Sequence, residues 1–108
     1  MRSKSEMLID RALYTNKIPF RYECELQLGE SIIYPDFTIR HPKTGKVFYW
    51  EHFGMMDDIF YVKNACTKLQ VYAAHGIIPS IHLIMTFETQ KNPLSLDKID
   101  GIIAEYFG

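Results

Sequence analysis

Two carboxylates in neighbouring apolar segments, Asp36 and Glu51, are the residues of this chain best placed for chemistry. They lie in Tyr34-Pro35-Asp36-Phe37-Thr38-Ile39 and Tyr49-Trp50-Glu51-His52-Phe53-Gly54, with the turn-like stretch His41-Pro42-Lys43-Thr44-Gly45 between them. Both segments read as β-strands. A hairpin folded about Lys43-Thr44 sets Asp36 directly opposite Glu51, and opposed side chains share a sheet face. Two like charges there repel by about 3 kcal/mol at roughly 5 Å and an effective dielectric of about 20. A divalent cation between them removes that cost, and hard cations favour carboxylate oxygen. The alternative is a pair of solvated carboxylates on the wet face of a hairpin. Against it stands the depletion of Asp in strands. The run Val47-Phe48-Tyr49-Trp50 is also apolar on both faces, which marks an interior strand and a Glu51 that needs a partner.

The elements that must position this pair follow from local signals. Ser3-Lys4-Ser5-Glu6 has the form of a capping box, so a helix is expected from Ser3 to about Asn16. Phe20 to Leu28 alternates apolar and polar residues and reads as one half-buried strand, turned by Gly29-Glu30-Ser31. The strands of Asp36 and Glu51 come next. Asp57 or Asp58 is expected to cap a helix from Ile59 to about His75, closed by Gly76. Its apolar stripe is read as Ile59, Val62, Ala65, Cys66, Leu69, Tyr72 and Ala73. Ser80 to Thr86 reads as a buried strand, parallel after its helical crossover. Ser95 or Asp97 is expected to start a last helix ending near Phe107. The order is α-β-β-β-α-β-α: an α/β (α+β mixed) sheet of three antiparallel strands plus a parallel fourth, flanked by helices.

Pro35-Asp36 followed by Glu51 one strand later, in this element order, resembles the PD-(D/E)XK nuclease superfamily, whose core is restriction-endonuclease-like. The wider phrase sharpens the likeness: Arg2-Ser3-Lys4-Ser5-Glu6, Tyr22-Glu23, Tyr34-Pro35-Asp36-Phe37-Thr38-Ile39 and Trp50-Glu51-His52-Phe53-Gly54-Met55. It is similar to nuclease-like domains of bacterial and phage proteins, some of them joined to helicases. The resemblance implies a DNA nuclease in which Asp36 and Glu51 bind Mg²⁺, with Mn²⁺ as a substitute, and a lysine positions the attacking water. The usual lysine lies two residues after the Glu, where this chain has Phe53. Some members supply the lysine from the following helix, which makes Lys68 the candidate; it falls beside Tyr61, Ala65 and Tyr72 on the flank of the apolar stripe. The alternative for Lys68 is a solvated helix lysine. The resemblance also implies that Glu6, on the face of Ile9 and Leu13, helps hold the metal or its waters, beside its capping role. Alternation turns the His52 ring to the other face and leaves its backbone carbonyl as a further metal ligand.

The remaining residues narrow the reading. Glu23 is a weaker candidate, and Asp57 and Asp58 read as caps. His41, His75 and His82 have no metal-ligand spacing and read as structural. Cys24 and Cys66 are far apart and read as buried thiols, which favours a reducing compartment. The 108 residues suit one domain, 47% of them apolar. A formal net charge of −1 excludes a strongly basic polyanion binder, so grip on DNA must come from a local patch or from a helicase or other domain outside the chain. The N-terminus lacks an apolar run after its basic residues, and no stretch approaches membrane-spanning length, so a cytoplasmic protein without membrane contact is expected. Phe53 supports a second reading, a degenerate nuclease-like domain that binds DNA or a protein without cutting.

Overall fold

The computed structural model describes residues 3–108; Arg2, which opens the resemblance phrase, lies outside the described residues. Helix α1 (Lys4–Thr15) starts where the capping box directs it. The Ser3 hydroxyl accepts from the Glu6 amide, and Glu6 returns a carboxylate to the Ser3 amide. Helix α2 (Ile59–Ala74) is capped by Asp58, whose carboxylate takes the amides of Phe60 and Tyr61. Gly76 follows at φ +74, a left-handed conformation in which a Cβ would be strained. Helix α3 (Leu96–Phe107) is capped by Ser95.

The strands are β1 (Phe20–Tyr22), β2 (Leu26–Leu28), β3 (Ser31–Ile33), β4 (Phe37–Arg40), β5 (Val47–Phe53) and β6 (Leu83–Phe87). Four form a mixed sheet in the order β1-β4-β5-β6, antiparallel except for the parallel pair β5 and β6. β2 and β3 form a separate two-stranded antiparallel sheet. Among the described residues the fold is thus mixed α/β with three helices. Phe20 to Leu28 is not one strand, as its alternation suggests. The chain breaks at Glu23, which takes φ +49, and continues into the second sheet. Ser80 to His82 likewise lies outside the last strand, in a tight turn where the amides of Ile81, His82 and Leu83 converge on the Ile78 carbonyl.

The sheet is covered on both faces. Phe37, Ile39, Trp50 and Ile84 project toward α1 and α3 and share a core with Ile9, Leu13, Ile99 and Ile103. Each such buried side chain contributes roughly 1.5–3 kcal/mol. On the opposite face α2 brings Tyr72 against Tyr49 and Glu51. β5 runs between β4 and β6, and its last four residues, Trp50 to Phe53, are all buried. Among the described residues no helix is long and apolar enough to cross a membrane.

Candidate active site

The hairpin register is the one read from the turn. Phe37 pairs with Trp50, Thr38 with Tyr49, Ile39 with Phe48 and Arg40 with Val47. The ladder ends at Phe37, so Asp36 sits one step beyond it, opposite Glu51. Here side chains take over from the missing strand partner. The Asp36 amide donates to Glu51 Oε1 at 3.2 Å, and the His52 amide donates to Asp36 Oδ2 at 2.7 Å. Asp36 and Glu51 are therefore brought to one place, the second of them almost without solvent exposure (2%).

Lys68 arrives from α2. Its ammonium donates to Glu51 Oε1 at 2.9 Å, lies 2.8 Å from Oε2, and donates to the Tyr34 carbonyl at 2.9 Å. The Tyr72 hydroxyl donates to Glu51 Oε2 at 2.5 Å. The inward face of α2 is thus Tyr61, Ala65, Lys68 and Tyr72, so Lys68 is central to that face rather than on its flank. The stripe read from hydrophobicity is corrected: Ile59, Cys66 and Ala73 are exposed. A buried carboxylate explains the difference, because it requires donors, and the helix turns its lysine and tyrosines toward it. Cys66 is an exposed free thiol and Cys24 a half-buried one, so neither is the buried cysteine expected.

The electrostatics follow from this crowding. Burial, then the neighbouring Glu51 charge, pushes Asp36 up to about 7, although the His52 amide and the Lys68 ammonium pull the other way. Burial, then the Glu51 charge, raises the Tyr72 phenol far above its ordinary value and keeps it a donor. Burial also raises Tyr61, which accepts from the Gly54 amide at 3.1 Å and donates to the His52 carbonyl at 3.3 Å.

The other sequence candidates fall around this centre. The His52 ring does turn to the opposite face, and only the main chain of this residue is presented to the site. Phe53 is buried, stacked on Phe87 with ring centroids 5.3 Å apart, and lines the site without any polar group to offer. The Glu6 oxygens are engaged by the Ser3 amide and the Tyr22 hydroxyl, and its charge reaches Asp36 as a minor upward influence. Asp58 caps α2, and Asp57 accepts from the Gln90 amide at 3.3 Å. His41 lies in the hairpin turn, where Nδ1 faces the Lys43 and Thr44 amides; His75 is the C-cap of α2; and His82 is exposed in the turn before β6.

Asp36, Glu51, His52, Phe53, Tyr61, Asn64, Ala65 and Lys68 line a cavity of about 240 Å³. Sequence reading missed Tyr61, Asn64 and Tyr72 as site residues. The signal was present: Tyr61, Lys68 and Tyr72 fall at helical spacing on one face. The acceptors gathered here are all oxygen: the two carboxylates and the His52 carbonyl. Among the described residues no group of three or more His, Cys, Asp or Glu side chains gathers as a metal centre. Comparisons with protein families, with curated proteins and with solved structures give no significant match.

Proposed function

We propose that this chain is a magnesium-dependent phosphodiester hydrolase acting on DNA, of the PD-(D/E)XK type, with a restriction-endonuclease-like core inside its α/β fold. The observation that carries the reading is the approach of Lys68 to the buried Glu51 beside Asp36. It supplies from helix α2 the cation that Phe53 fails to supply from β5. A carboxyl held up to about 7 by burial and by a second carboxylate is the electrostatic mark of a place that favours an added cation.

In this reading Asp36 and Glu51 would hold Mg²⁺ (or Mn²⁺ in its place), with the His52 carbonyl as a further oxygen. Such an ion would supply Lewis acidity for attack of water on the phosphate. Tyr72 restrains one Glu51 oxygen and so limits the rotamers open to that ligand. Lys68, freed from Glu51, orients the nucleophile and offsets negative charge that builds on the phosphate. DNA is the partner, the two free thiols suit a reducing cytoplasm, and a helicase or other domain outside the chain supplies grip that a net charge of −1 does not.

The test is a cleavage assay with Asp36→Ala and Glu51→Gln. Both variants should retain the circular dichroism of the fold and lose magnesium-dependent cleavage; cleavage retained in either rejects the site. A second reading, a nuclease-like domain that binds DNA or a protein without cutting, draws on one observation. Each Glu51 oxygen already has partners, the Asp36 amide and Lys68 on Oε1 and Tyr72 on Oε2 with the Lys68 ammonium beside it, and an aromatic ring fills the usual lysine position. Metal-independent DNA binding without cleavage in the unmodified protein would favour it.

A further inference from the structure

The polar groups on the far side of β5 form a continuous chain that the site does not use directly. Trp50 Nε1 donates to Thr86 Oγ1 at 3.1 Å, Thr86 Oγ1 lies 2.7 Å from His52 Nδ1, and His52 Nε2 lies 2.7 Å from Glu88 Oε1. Ser5 Oγ donates to the same Glu88 oxygen at 2.6 Å, and the Leu94 amide donates to Oε2 at 3.1 Å. An indole nitrogen only donates and a carboxylate only accepts, so Trp50 gives to Thr86 and His52 gives to Glu88. The arrangement satisfies every member and ties together α1, β5, β6 and the segment leading into α3. The His52 ring in its middle is 1% exposed.

The same residue is the one whose main chain faces the site on both sides. β4 ends at Phe37, so from Glu51 onward β5 has no strand partner on that edge. The His52 amide fills the gap by donating to Asp36 Oδ2, and the His52 carbonyl meets Tyr61 at the cavity wall. On its other edge residue 52 pairs with Thr86 of β6, so the peptide groups here are held by that ladder on one side and, on the side of the site, by Asp36, Tyr61 and the anchored His52 side chain.

We propose that His52 is a positioning residue: its imidazole, braced by Thr86, Glu88 and Ser5, holds the peptide groups around residue 52 so that Asp36 and the His52 carbonyl keep their places in the site. This rests on the reading of that site as a metal centre. The ring touches neither metal nor substrate. Its contribution runs through main chain, as partners behind a ligand commonly do.

The experiment compares the unmodified chain with Thr86→Val, which keeps shape and removes the hydroxyl, and with Ser5→Ala, a milder cut at the outer end. Amide hydrogen exchange in the absence of metal reads the brace alone. In Thr86→Val, exchange at His52 should quicken relative to Trp50 by about tenfold, with a smaller change in Ser5→Ala, because the loss is local rather than global. An unchanged His52 to Trp50 ratio in both variants overturns the brace. Mn²⁺ alone is then titrated by calorimetry, and Thr86→Val should bind about tenfold more weakly, with Thr86→Ser restoring affinity. Equal Mn²⁺ affinity in Thr86→Val overturns the link from brace to site. An unmodified chain that binds no Mn²⁺ overturns the metal-centre reading instead, and the exchange ratio still decides whether the brace holds.

Discussion

The Lys68 ammonium stands 2.9 Å from one carboxylate oxygen of Glu51 and 2.8 Å from the other, across the interface between α2 and β5. With Tyr72 on Oε2 and the Asp36 amide on Oε1, the acceptor capacity of Glu51 is filled. Lys68 thus serves as the counter-ion that a divalent cation would replace, and the two compete for one carboxylate.

That competition separates stability from cation affinity. Lys68→Met leaves Glu51 buried beside Asp36 without its cation. Losing one partner of a buried pair costs about 3–5 kcal/mol; with a quarter of the Lys68 side chain exposed, the expectation here is about 2–3 kcal/mol. The metal-free Tm should fall, and Mn²⁺ should raise it by more than in the unmodified chain. Thermal scans with and without Mn²⁺ check both, and an equal or smaller Mn²⁺ gain in the variant counts against competition.

Asp36 makes the metal-free protein sensitive to pH. Burial, then the Glu51 charge, holds its carboxyl up to about 7, against about 3.9 in an unfolded chain. Between these values the folded state keeps a proton that the unfolded state has released. Stability therefore falls as pH rises from about 4 to about 7. Asp36→Asn should flatten that slope and leave the metal-free protein more stable than the unmodified chain above neutrality. Urea unfolding at acid and alkaline pH measures the difference, and a slope that survives the substitution assigns it elsewhere.

Tyr72→Phe removes the donor to Glu51 Oε2 and leaves a buried acceptor short of a partner. The expected loss is about 1–3 kcal/mol in urea denaturation at neutral pH. A change within error would mean that Lys68 alone satisfies Oε2.

Two glycines should respond with opposite signs. Gly29, at the tip of the β2–β3 hairpin, has φ +61, and a Cβ there would lie 2.9 Å from His75 Nε2. His75 is exposed and held only by its Nδ1 contact to the Val71 carbonyl at 2.9 Å, so the left-handed backbone sets most of the cost of Gly29→Ala, about 1–2 kcal/mol. Removing the ring as well, with His75→Ala, should not recover it. Gly101 lies inside α3 with open space around it, and Gly101→Ala should stabilise by roughly 0.5–1 kcal/mol. Chemical denaturation of the three variants settles the signs.

Much of the frame was legible because its signals are local. The capping box at Ser3 and Glu6, the Asp58 cap and the Ser95 cap each rest on bonds between near neighbours in sequence. So does the turn at Pro42 to Gly45, which sets the register and with it the opposition of Asp36 and Glu51. The break at Glu23 was not legible: alternation of period two continues from Phe20 to Leu28 whether the chain stays in one sheet or enters another. The inward face of α2 was misread for a related reason. Its hydrophobic residues are spread around the helix, with Ile59 and Phe60 exposed and Ala65 and Tyr72 buried, while the charge it must meet lies on a strand folded elsewhere.

The amino-acid order alone determines the helix ends, the hairpin register and the pairing of two acids in a strand setting. Only the folded chain decides which helix face meets Glu51, that Lys68 and Tyr72 answer its charge, and that His52 turns its ring to Thr86 and Glu88 while its main chain serves Asp36. Those choices are made by polar groups far apart in sequence, each needing a partner once water is excluded, and that requirement exists only after the layers have packed.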